Sequence, residues 1–195
     1  ERDTGESTDA HADGRGDLRG GLQPQRGLVG AGYIAEAHIK ALGRLSDITL
    51  AAICDARRSR AEELSKKHSG VRAYSTLKEM LDREELDYAH ILTQPDAHIH
   101  LATECLHRGV SVFIEKPMGV SARECETLLS LANSKELKVG VNHNLIYMES
   151  FQRCLKAVQH HEIGKLRHAE VMWRKSMGQI RTGPFNAWML REPKN

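Results

Sequence analysis

The sequence predicts an α/β protein built on a doubly wound parallel sheet, and three observations predict it. From Gly27 onward, short apolar runs alternate with segments whose apolar residues recur at helical spacing. The runs are nearly bare of polar residues, as strands covered on both faces require. The alternation then repeats several times, and repeated strand–helix units wind into a parallel sheet with helices on both sides.

Each element has its own signal. The first strand is the stub Gly27-Leu28-Val29, followed by a glycine turn and a helix with Ile34, Ala37 and Ala41 spaced on one face. The second strand is Ile48 to Cys54, ITLAAIC; a helix through Ala61, Leu64 and His68 follows and Gly70 closes it. A brief strand at Arg72 to Tyr74 precedes a capping box of Thr76 and Glu79, backed by Leu77, Met80 and Leu81. Asp87 to Thr93 is the fourth strand, and its helix takes Asp96 as N-cap and stops before Gly109. Val110 to Ile114 is the fifth. Ser121 and Glu124 form a second capping box, with Cys125, Leu128, Leu129 and Ala132 on one helix face, and Lys138 to Val141 ends the series. A helix through Phe151, Leu155 and Val158, a turn at Gly164 and a strand from Leu166 to Arg174 then open a second, α+β domain.

Residues 1–24 differ in kind. Their apolar side chains are Ala10, Ala12, Leu18 and Leu22, with no aromatic. Such a segment buries too little surface to offset its ordering entropy, so it is expected to be a disordered tail. The expected division is 1–24 tail, 25–142 doubly wound domain and 143–195 the incomplete start of the second domain.

Composition excludes several classes. Apolar residues make up 40% of 195, and no run approaches the ~20 apolar residues that span a bilayer. The first residues are charged and glycine-rich without the apolar core of a secretory signal. A net charge of +2, with no basic block interleaved with aromatics, argues against nucleic acid. Cys54, Cys105, Cys125 and Cys154 are far apart, and three fall in apolar patterns, so reduced thiols and a cytoplasmic setting are expected, with a disulfide pair as the alternative. The adjacent His160 and His161 lack metal-ligand spacing, and no metal is expected.

In a doubly wound sheet, ligands bind beyond the carboxyl ends of the strands, and four of those ends carry chemistry. Gly30-Ala31-Gly32-Tyr33-Ile34-Ala35 fits GxGxxG/A, in which glycines permit a tight turn and let backbone N–H groups approach a pyrophosphate at a helix N-terminus. Asp55 follows the second strand, where an acid can accept hydrogen bonds from both ribose hydroxyls of an adenosine; a helix N-cap or a surface charge is the alternative. That placement favours NAD over NADP, although Arg57 and Arg58 beside it suit a 2′-phosphate. Thr93-Gln94-Pro95-Asp96-Ala97-His98 can present backbone to a cofactor from Thr93 and Pro95, with His98 turned into the crevice or left on the surface. Glu115-Lys116-Pro117 sets two opposite charges at a strand end, either facing a polar ligand or forming a plain exposed salt bridge.

Together these places resemble the Gfo/Idh/MocA oxidoreductases, from about Gly27 to Arg174. The likeness rests on GAGYIA at 30–35, the acid at Asp55, the threonine–proline turn ending in His98 and, most specifically, EKP at 115–117. It implies a Rossmann domain binding NAD, with NADP possible, in an enzyme that oxidises or reduces a sugar, polyol or related hydroxy compound. It also implies that Glu115 contacts the nicotinamide ribose and that Lys116 lies beside the nicotinamide and the reacting hydroxyl as the catalytic residue. Gly30, Gly32, Tyr33, Ile34, Asp55, Arg57, Thr93, Pro95, His98, Glu115 and Lys116 are then the cofactor residues. An ammonium there stabilises developing alkoxide, and a lysine partly neutralised by burial can relay the proton.

Two departures qualify the resemblance. Asn142-His143-Asn144 stands where the family often has Asn-Arg-Arg, so Lys116, Asn142 and His143 are the substrate candidates without the usual basic pair. The family's second domain, which supplies an aspartate and a histidine, is only begun, so the sequence reads as a fragment of a protein expected to be homo-oligomeric. The rival reading is a non-catalytic dinucleotide-binding module, which would lack that acid and histidine in a complete reading frame.

Overall fold

A computed structural model of the chain describes residues 23–172 and 174. These fall into two compact units that divide between Asn144 and Leu145. The first unit holds strands β1 (Gln25–Val29), β2 (Thr49–Cys54), β3 (Arg72–Tyr74), β4 (Tyr88–Ile91), β5 (Ser111–Ile114) and β6 (Val139–Val141), with helices α1 (Ala35–Leu42), α2 (Arg58–Ser65), α3 (Leu77–Arg83), α4 (Pro95–His107) and α5 (Ala122–Ser134) between them. All pairings are parallel, in the order β3-β2-β1-β4-β5-β6. This is the Rossmann order, in which the winding reverses between β1 and β4.

Strand alternation sorts the core onto the two faces. On one, Leu28 and Ile53 pack with Ala35 and Ile39 of α1 and Ala61 and Leu64 of α2. On the other, Ala52, Cys54, Ala89, Ile91, Val112 and Ile114 pack beneath α3, α4 and α5, through Met80, Ala102, Leu106, Leu128 and Ala132. The face of α3 matches the sequence pattern; α2 buries Ala61 and Leu64 as expected but ends at Ser65, leaving His68 in the turn beyond it. In α1 the phase differs: Ala35, His38 and Ile39 are buried, while Ala37 and Ala41 are exposed. Ala35 is fully buried and the helix starts on it, so the inward stripe runs i, i+3, i+4 from there. In α5, Leu128 and Ala132 face inward, whereas Leu129 is 41% exposed.

The capping boxes also divide. Thr76 accepts the Glu79 amide, as expected. Ser121 is the N-cap of α5 without a side-chain cap bond. The tail expected at residues 1–24 lies, through Leu22, outside the described residues. Gln23 and Pro24 are tied down: Thr49 donates its hydroxyl to Gln23 and its amide to the Pro24 carbonyl.

The 3-10 turn Asn144–Tyr147 spans the division, and the second unit contains α6 (Glu149–Gln159), with Gly164 at positive φ in the turn beyond it. The strand expected from Leu166 to Arg174 is not formed: residues 166–172 are irregular and exposed, and Trp173 lies outside the described residues. A lone strand leaves its backbone groups unpaired, and among the described residues none lies beside it. The four cysteines are free, and no described helix is long and apolar enough to cross a membrane.

One buried carboxylate anchors the edge of the sheet. Glu84, at the end of α3, receives a forked pair of bonds from Arg72 and the Tyr74 hydroxyl on β3. Burial opposes its charge, but the Arg72 and Tyr74 hydrogen bonds outweigh it and hold the carboxyl below its ordinary value. A depressed folded-state pKa stabilises the fold above the ordinary carboxylate pKa, and that contribution is lost as pH falls through the folded-state value. Glu84→Gln should therefore cost about 2 kcal/mol at neutral pH and narrow its gap from wild type below about pH 4. Urea unfolding at both pH values reads this, and an equal gap at both would contradict it.

Candidate functional site

Because every strand runs the same way, Gly30, Asp55, Thr93, Glu115 and Asn142 all emerge at one edge of the sheet. The reversal point between β1 and β4 lies in the middle of that edge.

The turn after β1 is shaped by its glycines. Gly30 has φ +105° and donates its amide to the Cys54 carbonyl at 2.8 Å; a Cβ there would stand 3.0 Å from the Leu92 carbonyl oxygen. Only glycine suits that conformation and that approach. At Gly32 a Cβ would meet no protein atom within 4 Å, so the backbone there borders open space on the side where a side chain would stand. Tyr33 is 82% exposed, and Ile34 is the N-cap residue of α1, without a cap bond from its side chain. Sequence reasoning placed these residues together at the turn, and so does the fold.

Asp55 is held by the loops it joins. Its Oδ2 accepts the Ala31 amide and its Oδ1 the Arg57 amide, both at 2.8 Å, and its own amide reaches the Tyr74 carbonyl. Each carboxylate oxygen keeps a further lone pair for a ligand hydroxyl. Arg58 is paired with Glu62 across one helical turn; Arg57, the N-cap of α2, makes no side-chain ion pair among the described residues.

At the end of β4 the helix begins earlier than expected. Gln94, not Asp96, is the N-cap of α4, and Pro95 opens the first turn. Proline loses nothing at N1, where its missing N–H would have had no intrahelical partner. His98 does not line the crevice. It is 1% exposed, with Nδ1 2.8 Å from the Pro117 carbonyl and Nε2 3.1 Å from the Thr93 carbonyl. Its ring fastens the Thr93 loop to the Glu115-Lys116-Pro117 loop.

Glu115 and Lys116 do not pair. Glu115 turns to the half-buried side, where Oε1 accepts from His38 Nε2 at 2.9 Å and Asn142 Nδ2 at 2.5 Å, and Oε2 takes the Lys116 amide at 3.3 Å. Burial opposes the charge on Glu115, yet the Asn142 and His38 bonds outweigh it and hold the carboxyl below its ordinary value. Lys116 is exposed. Both residues lie just past the end of β5, in the loop that leads to α5. His143 is exposed next to Asn142.

Two site residues escaped the sequence reading. His38 on α1 reaches both Glu115 and His90 of β4, with the two Nδ1 atoms 3.1 Å apart. Phe113 packs on both rings. The available signal was His90, a polar residue inside an otherwise apolar strand. Among the described residues no cluster of His, Cys, Asp or Glu is arranged for a metal ion.

Comparison with known proteins agrees with this geometry. Residues 25–143 match a family described as an oxidoreductase family with an NAD-binding Rossmann fold. Trans-1,2-dihydrobenzene-1,2-diol dehydrogenase of Bos taurus is 34% identical over 57% of this chain and 34% of its own length. Inositol 2-dehydrogenase of Rhizobium meliloti (strain 1021) is 28% identical over 76% of this chain and 44% of its own length. The crystal structure of a WlbA dehydrogenase from Chromobacterium violaceum, in complex with NADH and UDP-GlcNAcA, has the same fold. Its TM-score is 0.70 at 24% identity, covering 73% of this chain and 41% of that one. The chain thus spans less than half the length of the relatives it matches.

The Asp55 tie is open to test. Asparagine offers one oxygen where two backbone amides need acceptors, so Asp55→Asn should leave one amide facing an NH₂ group and cost about 1–3 kcal/mol. Urea unfolding measures this; an unchanged midpoint would mean that the carboxylate does not bind both loops.

Proposed function

Because the chain belongs to the Gfo/Idh/MocA oxidoreductase family with its NAD-binding Rossmann fold, we propose that it forms the cofactor half of an NAD(P)-dependent dehydrogenase acting on a sugar, polyol or related hydroxy compound. The observation that carries this reading is the convergence of the glycine turn, Asp55, Thr93 and Glu115 at the reversal point of the sheet. The open space at Gly32 fits a dinucleotide, since that is where a pyrophosphate needs bare backbone. The relatives named for a diol and for inositol support the substrate class.

The bound nicotinamide supplies the hydride acceptor or donor. The cofactor half's own residues bind and orient it. Gly30 and Gly32 keep side chains away from the phosphates, with Tyr33 and Ile34 beside them and the N-terminus of α1 adding its partial positive charge. Asp55 accepts the adenosine ribose hydroxyls through its remaining lone pairs, which favours NAD; Arg57 is the guanidinium available to a 2′-phosphate. Thr93 and Pro95 line the middle of the crevice, and His98 serves them indirectly by fixing their loop. Glu115 receives the nicotinamide ribose. Lys116, exposed at the mouth, stabilises negative charge developing on the substrate oxygen, and Asn142 and His143 border the substrate. The free thiols suit a cytosolic protein, and the exposed Phe151 and Leu155 of α6 suit a homo-oligomeric full-length enzyme.

Binding and chemistry separate in the tests. NADH should quench or shift the chain's fluorescence on titration and bind more tightly than NADPH; the reverse order would hand the ribose pocket to Arg57. Gly32→Ala should leave the melting temperature nearly unchanged, because its Cβ meets nothing in the protein, yet weaken NADH by tenfold or more. Equal affinity would remove the pyrophosphate from this turn. In a protein of the relatives' length, screened on polyols and sugars, Lys116→Ala should lower turnover by about 10²–10⁴-fold, and turnover indifferent to that change would refute the lysine's role.

A further inference from the structure

The two histidines behind Glu115 have a hydrogen-bond arithmetic of their own. Their Nδ1 atoms lie 3.1 Å apart, which requires one hydrogen between them: two would collide, and none would set lone pair against lone pair. His38 Nε2 faces a carboxylate oxygen at 2.9 Å, and a carboxylate only accepts, so a bare Nε2 there is repulsive. Two arrangements remain. In one, His90 donates from Nδ1 to a neutral His38, which carries its hydrogen on Nε2. In the other, His38 is an imidazolium donating from both nitrogens, and His90 accepts at Nδ1 as its Nε2–H tautomer. His90 stays neutral in both, in keeping with its burial in β4, which together with the charges of His38 and Arg26 pushes its pKa down to about 3.

The consequence is that His38 presents Nε2–H to Glu115 in either charge state, because His90 can change tautomer to match. We propose that His38 and His90 are positioning residues for cofactor binding, a tautomer-coupled pair that keeps the Glu115 carboxylate ionised and aimed at the site whichever charge His38 carries. The groups around the pair belong to separate elements: Arg26 on β1, Phe113 and Glu115 on β5, and Asn142 after β6. The pair has no counterpart in the sequence, since His38 and His90 are 52 residues apart. The inference rests on Glu115 belonging to the cofactor site.

The test is NADH titration of the chain by fluorescence, with circular dichroism to verify folding. Glu115→Gln should weaken NADH about tenfold. His38→Leu should weaken it similarly and add little on top of Glu115→Gln, while His38→Gln, which restores an N–H near the Nε2 position, should recover most of the loss. Independently, ¹⁵N-imidazole NMR of the wild type should find Nε2 of His38 protonated from about pH 6 to 9, with His90 exchanging Nδ1–H for Nε2–H as His38 gains its charge. A folded His38→Leu variant with wild-type affinity overturns the proposal, as does a bare Nε2 on His38, and the NMR result stands even where a variant fails to fold. If wild type and Glu115→Gln bind NADH alike, the functional reading survives and this inference falls. If wild type binds neither NADH nor NADPH, both fall.

Discussion

Parallel strands cannot be joined by tight turns, because each chain must return to the starting side before it can run beside its predecessor. Five crossovers in this chain make that return, and the rest of the structure follows from it. Every strand delivers its carboxyl end to the same edge, and every returning helix begins there. Residues dispersed from Gly30 to Asn142 therefore meet along one line, each at or just past the end of its strand. The reversal of winding between β1 and β4 then opens the crevice, since the helices leaving these two strands depart to opposite faces.

An edge built from loops would be soft without cross-links, and here adjoining loops are fastened by side chains that reach backbone or one another. Asp55 joins the β2 end to the glycine turn through the Ala31 amide, and its own amide reaches β3 through Tyr74. His98 joins the β4 and β5 loops by two carbonyls, and Asn142 joins β6 to β5 through Glu115. Backbone groups do not vary with side-chain replacement, so the Asp55 and His98 ties bind to loop shape itself. Sites held to sub-ångström geometry depend on such supporting contacts.

Much of this was legible in the sequence because it is local. Apolar runs such as ITLAAIC fix the strands, and the glycine turn, Asp55 and the EKP segment each announce themselves within a few residues. Misreadings came where two local readings compete or where the deciding partner is far away. The alanines of α1 fit more than one helical stripe, and only packing of Ala35 against the sheet chooses among them. Glu115 and Lys116, adjacent in sequence, read as a pair, yet Glu115 is taken by His38 and Asn142, partners distant in sequence. His98 looked available because it sits one turn into a helix; nothing nearby in sequence reveals that Pro117 supplies a carbonyl for its second nitrogen.

Glu115 shows why the site needs polar neighbours and not merely space. Burial by itself raises the pKa of a carboxyl group and favours its protonated form, which donates where the carboxylate accepts. Three hydrogen bonds, from His38, Asn142 and the Lys116 amide, hold it charged. Two of the three come from other elements, α1 and the end of β6, so the donors that offset burial are assembled only when the crossovers have closed. The acceptor that the cofactor is proposed to meet is thus a property of the folded edge rather than of the EKP segment. A replacement on α1, many residues from that segment, acts on the same carboxylate as a replacement within it.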